Sequence, residues 1–217
     1  MFGAFGKIPA VGDFFRIDPP KGFVSVWDAW LQQGLLETRE VLQDGWKAKY
    51  YSAPIWRFTL TAGLAGKGAV IGVLMPSIDR VGRQFPLTLM GDIADDPLFA
   101  HFALSDLFAK LEDIALATLD DNVTKDHLAD MLSAVQAPPV LRPPVRAEKG
   151  ALVAGPAPTG SLAAMLAAEA GGTPTSVWSS EVEDGQRLML CDGLPVGAQI
   201  MALYDLDAPL WTGARAA

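Results

Sequence analysis

The chain has 217 residues, half of them hydrophobic and 19% charged, with a net charge of −8 and a pI near 4.7. That length buries a substantial core without covalent staples, and that composition describes a globular protein and excludes a disordered one. The acidic balance disfavours binding to phosphate backbones and to acidic membrane surfaces, so neither a nucleic-acid partner nor membrane insertion is expected.

The single cysteine, Cys191, excludes an internal disulfide and a cysteine-based zinc site, in keeping with a reducing compartment. No basic stretch followed by an apolar run opens the chain, and no apolar run approaches the length of a membrane span. A soluble, cytoplasmic protein is expected.

Residues Phe2 to Ile8 read as a short strand, with Phe2 and Ala4 on one face and Phe5 on the other. Pro9 ends it, Gly12-Asp13 marks a turn, and Phe14 to Ile17 forms a second extended piece stopped by Asp18-Pro19-Pro20. Phe23, Trp27, Trp30, Leu31, Leu35, Thr38 and Leu42 recur at spacings of three and four, which predicts a helix over 23–42 with both tryptophans as core anchors. Gly45 breaks it, and Trp46 to Tyr51 is a short turn or helix.

Three strands follow. In 54–62, Trp56, Phe58 and Leu60 share one face while Arg57, Thr59 and Thr61 share the other. Residues 69–75 are apolar on both faces, as in a strand covered on both sides, and 85–93 returns as the third strand. Short turns between sequential strands require antiparallel pairing. Asp96-Pro97 starts a helix expected to run unbroken to about Leu119, and Thr124 caps another that ends before Pro138-Pro139.

The prolines and cations of 137–160 predict a stiff, exposed linker between a first domain, 1–136, and a C-terminal extension, 161–217. The extension is expected to hold a short helix around Leu162, Met165 and Leu166, a hairpin turning at Glu183-Asp184-Gly185, and a last helix over 196–206. It is too small for a robust core of its own and is expected to pack back on the first domain. The fold class is therefore α+β: an antiparallel β-sheet packed with helices, with a small C-terminal αβ extension. The element order resembles the layering of longin-like and profilin-like domains, an analogy without functional weight.

Few residues carry catalytic chemistry. His101 and His127 fall in predicted helices, away from any glycine-flanked serine, and are expected to be solvated. Ser161 lacks the second glycine of a nucleophile elbow, and Ser77 has no evident base. Asp95-Asp96 and Asp120-Asp121 read as helix-end caps, and Gly63 to Gly68, despite Lys67, lacks phosphate-loop spacing. No metal, no cofactor and no catalytic residue is assigned. What remains is a polar set at strand ends and loops: Lys7, Asp13, Arg57, Ser77, Asp79, Arg80 and Arg83. A structural ion-pair network explains it, with Asp79 paired to an arginine. So does a recognition surface for a charged partner.

Several motifs together carry a family resemblance. They are Gly6-Lys7-Ile8-Pro9 with Gly12-Asp13-Phe14, Trp27 and Trp30, Pro54-Ile55-Trp56-Arg57-Phe58, and Met75-Pro76-Ser77-Ile78-Asp79-Arg80-Val81-Gly82-Arg83 with Phe85-Pro86-Leu87. With these the chain resembles the TagF (ImpM) family of type VI secretion-associated proteins of Gram-negative bacteria. The resemblance is dense over 1–93 and thinner at Ser176-Val177-Trp178 and Gly193-Leu194-Pro195, where Ser179 stands in place of a second tryptophan frequent in the family.

The resemblance implies a cytoplasmic, non-enzymatic regulator that represses secretion post-translationally by binding the forkhead-associated scaffold protein of the apparatus. Some members are fused to a PP2C-type phosphatase. This chain ends at Ala217, so a phosphatase is expected to be a separate protein. Two alternatives stand beside that expectation. One is a small anionic-ligand binder or enzyme using Ser77, Arg80 and Arg83, and the other is a structural accessory of the secretion baseplate.

Overall fold

Period-two alternation along the strands places apolar residues on both faces of one sheet, and helices cover each face. A computed structural model describes residues 1–94, 96–140, 145–148, 151–154 and 175–212. The strands are β1 (Phe2–Gly6), β2 (Phe15–Ile17), β3 (Trp56–Leu60), β4 (Ala69–Met75), β5 (Leu87–Ile93), β6 (Val145–Glu148), β7 (Ala151–Ala154), β8 (Ser176–Val182) and β9 (Gly185–Cys191). The helices are α1 (Phe23–Leu42), α2 (Trp46–Ser52), α3 (Pro97–Ala103), α4 (Ser105–Ala117), α5 (Lys125–Ser133), α6 (Ala198–Tyr204) and α7 (Pro209–Thr212).

Seven strands form one antiparallel sheet in the order β2-β1-β5-β4-β3-β8-β9. The N-terminal strand β1 lies beside β5, so the two ends of the chain extend the central β3-β4-β5 meander in opposite directions. On β4, Ile71, Val73 and Met75 face the core built with α4 and α5, while Val70 and Leu74 face the core built with α1, α2 and α6. This alternation is why the strand reads as apolar throughout.

The two cores differ in chemistry. The α4–α5 side is dominated by Leu, Ile and Val. The α1 side stacks Phe23, Trp27, Phe58 and Trp178, with Trp27 within 5 Å of both Phe23 and Phe58 (ring centroids 4.8 and 4.7 Å). A buried indole N–H without an acceptor is costly. Each of the six tryptophans donates one hydrogen bond: Trp27 to Thr88 Oγ1, Trp30 to Pro195 O, Trp46 to Gln84 Oε1, Trp56 to Leu203 O, Trp178 to Ser176 Oγ and Trp211 to Ala202 O. Two of these bonds, from Trp30 and Trp56, tie the first hundred residues to the C-terminal segment, and two more, from Trp178 and Trp211, seal it internally. The C-terminal hairpin therefore belongs to the same sheet and the same aromatic core.

Three expectations are corrected or refined. The single helix expected over 97–119 is two, α3 and α4, broken at Leu104 (φ −107°, ψ 40°). Leu104, Leu107, Phe108 and Leu111 continue the apolar spacing through the break, which hides it in the sequence. The bend lets α3 pack on β3 and β8 while α4 lies over β4 and β5. Within 137–160, read as linker, β6 and β7 pair as a separate two-stranded ladder. The strand expected to reach Ile8 stops at Gly6. The short helix expected around Leu162 to Leu166, Ser161 and Asp95 fall outside the described residues.

A loop junction as the candidate functional site

The turn between β4 and β5 is built by its own sequence. Asp79 N–H donates to Arg83 O (3.1 Å) and closes a three-residue loop, with Gly82 in the left-handed region (φ 81°). A three-residue hairpin loop calls for glycine at that position. Gly82 N–H donates to Asp79 O, and Ile78 bridges Gln84 below the tip. At the end of β1, Gly6 (φ 133°) runs so close to Pro86 that a Cβ would lie 2.1 Å from its carbonyl oxygen. Glycine there brings Lys7 beside the loop.

Asp79 is the centre of the junction and is 1% exposed. Its Oδ1 accepts from the N–H groups of Val81 (3.1 Å) and Arg83 (2.9 Å). Its Oδ2 accepts from Lys7 Nζ (2.9 Å) and Arg83 Nε (2.6 Å). Burial alone raises a carboxyl pKa, but these four donors outweigh it and hold Asp79 well below the usual carboxylate range. Two cations share one carboxylate here. Lys7 is itself buried, with Nζ 4.6 Å from the Phe14 ring centroid.

The arginines carry the loop across to residues 9–14. Arg80 Nη2 donates to Ala10 O and Arg83 Nη2 to Gly12 O, both at 2.7 Å, and Arg80 N–H donates to Val11 O (3.1 Å). Two loops distant in sequence are thus sewn into one surface. Val81 (71% exposed) and Phe14 (46%) stand out from it. Neutral carbonyls do not cancel a guanidinium charge, and Arg80 has no ion-pair partner among the described residues.

The other members of the sequence-derived set divide. Asp13 is exposed and, among the described residues, accepts only from the adjacent Phe14 N–H. The Ser77 backbone both donates to and accepts from the Tyr50 hydroxyl (3.0 and 2.7 Å), while Ser77 Oγ is buried without a hydrogen-bond partner. No hydrogen bond joins that hydroxyl to Arg80 or Arg83, so the three do not converge as an anion cradle. Burial pushes the Tyr50 hydroxyl pKa up, which keeps it a neutral strut. Arg57 lies elsewhere and does not pair with Asp79. It forms a two-pronged bond with Glu112 of α4 (Nε to Oε1 2.7 Å, Nη2 to Oε2 2.8 Å), which raises its pKa further.

Sequence reasoning missed the surroundings of Arg57. His101 on α3 is 4% exposed, not solvated. Its Nδ1 meets Thr59 Oγ1 (3.2 Å) and its Nε2 meets Ser179 Oγ (2.8 Å). Either neutral tautomer is satisfied, because each hydroxyl both donates and accepts. Burial, then the Arg57 charge, pushes its pKa down to about 3. A serine and a histidine in contact invite a nucleophilic reading, but both are buried and the second ring nitrogen meets a threonine hydroxyl where a triad has a carboxylate. The one sequence signal was Thr59 sharing a strand face with Arg57.

Among the described residues, no three His, Cys, Asp or Glu side chains cluster to hold a metal ion, and no helix is long and apolar enough to cross a membrane. One antiparallel sheet between two helical layers, with its unneutralised charge at a loop junction, defines a layered α+β protein. The family model described as "TagF N-terminal domain, Type VI secretion system-associated" matches residues 3–135, and the chain belongs to that family. A solved structure, the crystal structure of PA0076 from Pseudomonas aeruginosa PAO1, is similar at 30% identity with a TM-score of 0.78, covering 95% of each chain. That likeness runs beyond residue 135 into the C-terminal hairpin and helices. No curated protein matches the chain.

Proposed function

We propose that this chain is a non-enzymatic, cytoplasmic regulator that represses type VI secretion by binding the forkhead-associated scaffold protein of the apparatus. The observation that carries this reading is the junction of loops 9–14 and 79–83. Its two loops are cross-braced by the guanidinium groups of Arg80 and Arg83 and present the exposed Val81 and Phe14, on a chain belonging to a type VI secretion-associated family. Such a surface suits partner recognition, where complementary charge sets specificity and apolar anchors supply affinity.

Calorimetry of the purified chain with the scaffold from the same bacterium tests the reading. Saturable binding that weakens about tenfold or more on Arg80→Glu is the expected result. Absence of binding to a demonstrably folded scaffold would overturn it and direct attention to baseplate proteins.

A further inference from the structure

The strand β2 is one edge of the seven-stranded sheet, with β1 on one side and no strand on the other among the described residues. A cleft of about 680 Å³ wraps this edge. On the α1 side it is bounded by Arg16, which pairs in register with Phe5, and by Val24 and Asp28. On the α5 side it is bounded by Phe15, which packs into the aliphatic core, and by Lys125 at the start of α5. Phe5, Val11 and Phe14 add apolar surface to its lining.

Phe14 is half-exposed yet held firmly. Its ring meets Phe85 edge-on at 4.7 Å, lies parallel to Phe5 at 6.3 Å, and has Lys7 Nζ 4.6 Å from its centroid. An exposed aromatic fixed on three sides is pre-organised, so a partner loses little entropy in docking against it. The charge is also directional. Arg16 and Lys125 form no ion pair among the described residues, while the carboxylate in the cleft, Asp28, accepts from Gln32 Nε2 (2.8 Å). Two cations, Arg16 and Lys125, and one carboxylate, Asp28, line the cleft, which leaves it one net positive charge in a chain of net charge −8.

We infer that this cleft is a docking site for an acidic, extended segment of a partner protein, which adds as a strand along β2, places an apolar side chain on Phe14 and sets its carboxylates against Arg16 and Lys125. Strand addition supplies main-chain hydrogen bonds for affinity, and the alternating side chains supply specificity. The inference deepens the protein-binding reading above and rests on it. It names the chemistry of the segment, and the overall acidity of the chain favours a peptide over a nucleic acid.

The test uses the isotope-labelled full chain and a short synthetic peptide of Glu and Asp around one Phe, beside a counterpart in which Lys replaces the acids. The expected result is amide shift changes confined to residues 11–17, residues 24–32 of α1 and the start of α5 with the acidic peptide alone. Phe14→Ser, and separately Arg16→Glu with Lys125→Glu, should each weaken binding about tenfold or more. Control reversals at the exposed Lys47 and Lys67 should leave it unchanged, and melting temperatures should show that every variant folds. Equal binding of the lysine peptide, shifts elsewhere, preference for a single-stranded oligonucleotide, or occupation of the cleft by a second copy of this chain, seen as a dimer in sedimentation, would each overturn the inference. Scaffold binding that ignores the Arg16 and Lys125 reversals overturns the inference and leaves the regulator reading standing. Peptide binding without scaffold binding does the reverse.

Discussion

Asp79 and Arg57 each anchor a charged network on the same sheet, and the two networks balance charge in opposite ways. Around Asp79, one buried carboxylate serves Lys7 and Arg83, while Arg80 is bonded only to carbonyls, so positive charge remains at a loop surface. Around Arg57, the guanidinium is matched one to one by Glu112, and beyond it His101 stays neutral between two hydroxyls. The balanced network lies between the sheet and α3–α4. Charged groups therefore separate here into those that hold layers together and those, such as Arg80, that stand exposed at a loop.

The contrast is sharpest in stability. Asp79→Ala leaves Lys7 as a buried, unpaired cation and frees two loop N–H groups. It should cost about 3–5 kcal/mol in chemical denaturation, with Asp79→Asn less severe because an acceptor remains. The depressed Asp79 carboxyl contributes stability that is fully present above its unfolded pKa of about 3.9 and is lost as pH falls below that value.

The His101 network titrates in a different window. Its folded pKa of about 3 lies below the unfolded value of 6.5, so between them the unfolded chain binds a proton that the folded chain refuses. Its contribution is complete above pH 6.5 and shrinks on acidification, by roughly 2 kcal/mol at pH 5. Denaturation midpoints measured from pH 7 to pH 5 should show this slope, and His101→Gln should flatten it.

Arg57→Met leaves Glu112 half-buried and unpaired, for a loss of about 1–2 kcal/mol. A double-mutant cycle with Glu112→Gln should recover part of it if the pair acts as a unit. Arg80→Ala removes one exposed bond and should change stability by about 0.5 kcal/mol or less. If Arg57→Met weakened scaffold binding more than Arg80→Glu, the division into scaffold and surface would fail.

Local features were legible because they depend on near neighbours. The boundaries of α1, the shared face of Trp56, Phe58 and Leu60, the Asp96 cap that accepts from Leu98 N–H and Phe99 N–H, and the Thr124 cap all follow from spacing or side-chain chemistry within one turn. The break at Leu104 was not legible, because apolar spacing continues across it and only packing on different strands separates α3 from α4. His101 was misread for a related reason. Its burial depends on Ser179, 78 residues away, arriving on β8 beside β3.

The polar set was legible as a list of residues and not as an arrangement. Amino-acid sequence alone determined the α+β class, the alternation that gives the sheet two buried faces, the glycine-closed turn at Gly82 and the acidic balance of the whole chain. Only the tertiary structure decided that β1 lies beside β5, that Lys7 therefore reaches an aspartate 72 residues away, and that Arg57 turns to Glu112 and not to Asp79. Periodicity and capping act over a few residues, whereas the partner of a buried charge is set by strand order, which no local spacing encodes.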